Sequence, residues 1–73
     1  MKTQLQIVVE DFLDFHRFSK LELCRLAKIE LPTLEHMFTP GFYVDIFEYE
    51  RLAYVLNLDI TDILKLASTK QPL

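Results

Sequence analysis

Few side chains in this chain are of the types that carry out acid-base, nucleophilic or metal chemistry. Its 73 residues include one cysteine, Cys24, and two histidines, His16 and His36. A nucleophilic cysteine or serine works with a histidine base, and a zinc site requires closely spaced cysteine and histidine ligands. Neither arrangement surrounds these three residues in the sequence. The chain is therefore predicted to be a non-enzyme without a metal, cofactor or small-molecule ligand.

Length and composition favour one small all-α domain spanning residues 1–73. Hydrophobic residues make up 51% of the chain, enough for a dense core, while one glycine and three prolines leave little room for the many turns of a β domain. Cys24 has no second cysteine with which to form an intramolecular disulfide, and neither a signal peptide nor a long apolar run is evident. These features predict a cytoplasmic protein that does not enter a membrane.

The net charge of the chain is acidic. Eight basic residues stand against eleven acidic ones, which gives a formal net charge of −3. Such a balance opposes binding to nucleic acid unless the basic residues are concentrated on one face.

Capping residues and apolar spacing together predict five helices. Three pairs have the spacing of a capping box, in which a helix-capping side chain and a glutamate or aspartate three residues later satisfy each other's backbone amides. They are Ser19 with Glu22, Asp45 with Glu48, and Asp59 with Asp62. The predicted helices cover residues 4–16, 19–28, 31–38, 45–56 and 60–68, with the domain core between about residues 5 and 67 and a frayed tail at 69–73.

The chain has more apolar residues than such a small core requires. The predicted inward residues include Val9, Phe12, Leu13, Cys24, Ile46, Tyr49, Leu52, Ala53, Leu56, Ile60, Ile63, Leu64 and Ala67. A second apolar set has no obvious inward position: Ile7, Val8, Phe15, Leu31, Phe42, Tyr43, Phe47, Tyr54 and Val55. These residues either cover the edge of the core or form a surface for a partner protein.

Residues 19 to 37, SKLELCRLAKIELPTLEHM, have small and apolar residues at the spacing that packs two short helices across a tight turn. Lys28 stands at the turn, so we expect it to adopt a left-handed backbone conformation. Together with the later phrase ERLAYVLNLDITDIL, this segment resembles the phage-repressor and Cro-like family of DNA-binding regulators, over about residues 9 to 67. The resemblance implies a compact five-helix, lambda-repressor-like domain whose second and third helices form a helix-turn-helix.

The resemblance also implies a set of DNA-binding residues. In that family a residue at the start of the second helix positions a phosphate, and residues of the third helix read base edges. By position, the phosphate role falls on Lys20, and the base-reading roles fall on Leu31, Thr33, Glu35, His36 and Thr39. The first functional hypothesis is therefore a small transcription regulator of the Cro type that binds a two-fold operator as a homodimer.

The charge of the same segment supports a second hypothesis. Residues 30–36 contain two glutamates and no lysine or arginine. An acidic and apolar third helix would suit a modulator or antirepressor that binds the basic, DNA-reading domain of another repressor. Its predicted contact set is Glu30, Leu31, Glu35, His36, Met37, Phe42 and Tyr43. Both hypotheses make the protein a regulator of transcription, and the sequence leaves the choice between DNA and a protein partner open.

Overall fold

The computed structural model describes residues 3–39 and 44–68, and these residues form five α-helices. In chain order the helices are α1 (Gln4–His16), α2 (Lys20–Ala27), α3 (Leu31–Met37), α4 (Ile46–Leu56) and α5 (Ile60–Ser68). The prediction of an all-α domain of five helices is confirmed. The predicted tail at 69–73 lies outside the described residues. Within the described ranges, every helix is too short or too polar to cross a bilayer.

The helices begin at residues whose side chains satisfy the first backbone amides. Ser19 and Glu22 form the predicted capping box at α2, with the Glu22 N–H donating to Ser19 Oγ at 3.2 Å and the Ser19 N–H donating to Glu22 Oε1 at 2.8 Å. At α1, Thr3 Oγ1 accepts from the Gln6 N–H at 3.1 Å. These caps fix the start of α1 and of α2.

The capping box predicted for Asp45 and Glu48 at the start of α4 is wrong, because the Asp45 side chain accepts from Phe47 and not from Glu48. Asp45 Oδ1 accepts from the N–H of Phe47 at 3.0 Å. The Glu48 N–H instead donates to the backbone carbonyl of Asp45, also at 3.0 Å. The short aspartate side chain reaches the nearer amide, so Asp45 caps α4 without a reciprocal bond from Glu48.

Three helices end at residues with left-handed backbone conformation. These are Arg17 after α1, Lys28 after α2 and Asn57 after α4, with φ of 57°, 57° and 60°. The expectation for Lys28 is confirmed, and Asn57 is the C-cap of α4. The left-handed conformation of Arg17 was not predicted, because an arginine side chain does not favour the left-handed region of backbone conformation.

The core is one cluster to which all five helices contribute. α1 packs against α5, α2 packs against α4 and α3, and α4 packs against α5. The most deeply buried large side chains are Leu5, Leu23, Leu34, Met37, Leu52 and Ile63. Among the predicted inward residues, Val9, Leu13, Cys24, Tyr49, Leu52, Ala53, Leu56 and Ile63 are buried.

Two predicted core residues prove to be exposed. Ile46 is 47% exposed because it is the first residue of α4 and no preceding turn of the helix covers it. Leu64 is 37% exposed because α5 buries only the stripe centred on its neighbour Ile63, and the next residue is rotated about 100° away. Phe12, Ile60 and Ala67 are half-buried at the edge of the core.

The strained turn at Lys28 leads to a test of stability. Replacing Lys28 with glycine is expected to stabilise the domain by about 0.5–1 kcal/mol, because glycine adopts φ of 57° without a Cβ clash. The matched control is Arg25→Gly, which removes the same charge from the helical part of α2 and should destabilise the domain by about 1 kcal/mol. Urea unfolding followed by circular dichroism measures both changes. A loss of stability in Lys28→Gly would contradict the assigned backbone conformation.

Candidate functional site

α2 and α3 are two short helices that pack across a tight turn, as the spacing predicts, and they build the candidate site. The turn between them covers residues 28–30, and the two helices pack against each other. Their shared interior contains Leu23, Cys24 and Ala27 from α2, with Leu34 and Met37 from α3, all of them buried. Pro32 lies in the first turn of α3, where the backbone N–H that it lacks would have no helical partner. The outer surface of this pair is the site that the sequence predicts.

The centre of the site is an ion pair between the two helices. Lys20 Nζ donates to Glu35 Oε1 at 3.0 Å, and the two side chains are 39% and 50% exposed. The same ammonium group lies 5.8 Å from the centroid of the Phe38 ring. An exposed ion pair contributes only about 0.2–1 kcal/mol to stability. Its larger consequence is electrostatic, because the lysine expected to bind a phosphate is neutralised by a residue expected to read a base.

A second predicted donor is also directed at Glu35. The hydroxyl of Thr39 donates to the backbone carbonyl of Glu35 at 3.1 Å. Its proton is therefore engaged within the chain, and its oxygen remains able to accept a hydrogen bond. Lys20 and Thr39 thus both donate to one residue of α3, through its side chain and its backbone respectively.

The remaining predicted site residues divide by exposure. Glu30 and His36 are exposed, and Leu31 and Thr33 are half-buried. Phe42 and Tyr43 lie outside the described residues. Met37 is only 1% exposed, so its assignment to the partner-contact set is wrong. Its side chain is part of the buried core cluster, where the apolar spacing of residues 19 to 37 also places it.

Sequence reasoning missed an aromatic cluster at the end of α1. The His16 ring lies 4.4 Å from that of Phe12, 5.0 Å from that of Phe15 and 5.7 Å from that of Phe18, measured between centroids. Phe15 is 83% exposed. His16 lies in the last turn of α1, where its ring packs among these three rings. The spacing of Phe12 four residues before His16 on α1 is the signal that could have indicated this part of the cluster.

The chemistry of Cys24 follows from its place beneath the ion pair. Burial raises the pKa of its thiol, the Glu35 carboxylate raises it further, and the Lys20 ammonium opposes these effects by lowering it. A thiol with a raised pKa is a poor nucleophile, and this one is 5% exposed. Burial also raises the pKa of the Tyr49 hydroxyl. Within the described residues, His, Cys, Asp and Glu form no group that could hold a metal ion.

Comparisons of the chain with models of protein families, with curated proteins and with solved structures find no match.

The pKa of Cys24 is a reporter of the ion pair. Glu35→Gln should lower the pKa of the thiol, because it removes a neighbouring negative charge and leaves the Lys20 ammonium unpaired. Lys20→Gln should raise it. The pH dependence of the Cys24 Cβ chemical shift measures both, and shifts of the same sign in the two variants would contradict the geometry.

The raised thiol pKa also has a consequence for stability. Because the folded chain holds this proton more tightly than the unfolded chain, the stabilising contribution is complete below the pKa of the unfolded thiol and is lost as the pH rises through the folded value. Cys24→Ala should therefore weaken the alkaline loss of stability, as measured by urea unfolding at a series of alkaline pH values. Tyr49 contributes a loss of the same sign, so part of the loss should remain in the variant.

Proposed function

We propose that this protein is a small cytoplasmic regulator of transcription of the phage-repressor and Cro-like type, which acts by binding the basic, DNA-reading domain of another repressor. The observation that carries the proposal is the ion pair between Lys20 and Glu35. It removes the main phosphate-binding charge from the surface with which a helix-turn-helix protein normally meets DNA.

The charge of the surface supports a protein partner over a phosphate backbone. Residues 20–39 carry three basic side chains, Lys20, Arg25 and Lys28, and three acidic ones, Glu22, Glu30 and Glu35. On α3 and its N-cap the only acidic or basic residues besides His36 are the two glutamates, Glu30 and Glu35. Affinity for DNA depends on the number of phosphates that cationic groups neutralise, and carboxylates beside them add repulsion.

The same features suit a basic protein surface. Glu30 and Glu35 are exposed and can accept charge-assisted hydrogen bonds from arginine or lysine, and the bidentate form with arginine is the strongest of these. Leu31 is half-buried at the start of α3 and offers an apolar contact beside them. A partner arginine that replaced Lys20 at Glu35 would also release the lysine. The contact set that we propose is Lys20, Glu30, Leu31, Thr33, Glu35, His36 and Thr39.

Direct binding to operator DNA is the second candidate. It is supported by the helix-turn-helix arrangement of α2 and α3 and by the exposure of His36 and Thr39 at the end of α3. In this function Lys20 would have to leave Glu35 and turn to a phosphate.

Glu35→Lys separates the two candidates. Under the proposed function the variant should lose about tenfold or more in affinity for the basic DNA-binding domain of a phage repressor, because like charges then face each other. The control is Asp11→Lys, which makes a change of the same type at an exposed position of α1 and should leave that affinity unchanged. Isothermal titration calorimetry measures both affinities.

The wild-type protein should also show no salt-sensitive binding to a non-specific DNA duplex at low ionic strength, as followed by fluorescence anisotropy. Clear binding that weakens with salt would favour the DNA-binding candidate. If the wild type and Glu35→Lys bound the partner with equal affinity, α3 would not be part of the partner-binding surface.

A further inference from the structure

α2 has two exposed leucines that no core position requires. Leu21 is 60% exposed and Leu26 is 54% exposed. With about 100° of rotation per residue, the buried stripe of α2 runs from Leu23 through Ala27 to Cys24. Leu21 lies about 60° beyond Cys24, at one edge of this stripe. At the other edge, Leu26 lies about 60° beyond Leu23. The two leucines therefore lie on opposite flanks of the same helix.

The neighbours of α2 differ between the two flanks. On one flank, Leu26 lines a groove of about 360 Å³ between the end of α2 and α4. On the other flank α2 meets α3, where Lys20 Nζ donates to Glu35 Oε1 at 3.0 Å. Burial, and then the Glu35 carboxylate, raise the pKa of the Cys24 thiol, which places Cys24 on this flank as well. Leu21 is thus beside the ion pair, on the exposed surface that α2 shares with α3.

A third leucine lies on the α3 side of the same ion pair. Leu31 precedes Glu35 by four residues, so the two side chains share one face of α3. Leu31 is half-buried and packs against the core cluster, with part of its surface open to solvent. The ion pair between Lys20 and Glu35 therefore has a leucine beside it on each helix, Leu21 on α2 and Leu31 on α3.

We propose that Leu21 is the apolar anchor of the partner-binding surface of α2 and α3, and that it packs against an apolar side chain beside the arginine or lysine that pairs with Glu35. This inference rests on the proposed function, and it extends the contact set by one residue of α2. The occupant is the basic, DNA-reading domain of another repressor, because the same surface carries the exposed carboxylates of Glu30 and Glu35.

The physical advantage of an apolar anchor at this position is the exclusion of water. A charge-assisted hydrogen bond to Glu35 is weak while water surrounds it, and it strengthens when apolar groups around it keep water away. DNA would gain nothing from this arrangement, because a phosphate group beside Lys20 offers Leu21 no apolar surface to contact. The exposure of Leu21 next to Lys20 therefore fits a protein partner better than a phosphate backbone.

Leu21→Ser tests the anchor, with Leu26→Ser as a matched control on the opposite flank of α2. Isothermal titration calorimetry against the basic DNA-binding domain of a phage repressor should show a dissociation constant about tenfold higher for Leu21→Ser, because the apolar contact is lost. Leu26→Ser removes a leucine of similar exposure from the same helix and should leave the dissociation constant unchanged. Leu21→Met, which keeps an apolar side chain of similar size, should bind like the wild type.

Salt distinguishes the apolar contact from the charged one. The loss of affinity in Leu21→Ser should persist when the salt concentration is raised, whereas the loss in Glu35→Lys should shrink, because salt screens charges and not apolar contacts. Both leucines are exposed, so circular dichroism should show unchanged helix content in all the leucine variants.

The outcomes separate this inference from the proposed function. If Leu21→Ser binds like the wild type while Glu35→Lys is weakened, the inference is overturned and the proposed function stands. The inference is also overturned if Leu26→Ser loses as much affinity as Leu21→Ser, or if the loss in Leu21→Ser disappears at high salt. If the wild type and Glu35→Lys have the same affinity for the repressor domain, the proposed function is overturned, and the partner assigned to Leu21 with it.

Discussion

The packing of α3 against α2 is the constraint on which the rest of the candidate site depends. α3 has only seven residues, too few to be stable alone, so its conformation is maintained by burial of Leu34 and Met37. Close approach of the helices requires small residues on α2, which Cys24 and Ala27 provide, and a tight turn, which Lys28 provides at the cost of a left-handed conformation. The same approach brings Lys20 and Glu35 within 3.0 Å of each other.

That ion pair changes how the residues of the site are interpreted. Considered singly, Lys20 would be a phosphate ligand and Glu35 a base reader under the family resemblance, and each would be consistent with DNA binding. Considered as a pair, they leave the surface with little positive potential, and the exposed Glu30 adds a negative charge. The pair contributes little to stability because both side chains are partly exposed and screened. Its value is greater for specificity, because it favours a partner whose own cations can compete with Lys20.

Local sequence patterns predicted most of the fold. The wrong predictions concern burial, which depends on how the helices pack against each other. Capping residues and apolar spacing are local properties, so all five helices, the Ser19 capping box and the turn at Lys28 could be read from the sequence. The exposure of Ile46 and Leu64 depends on which neighbouring helix covers each position, which spacing along one helix does not specify. For the site, residue types indicated the surface, but the pairing of Lys20 with Glu35 joins positions fifteen residues apart and needed the tertiary structure.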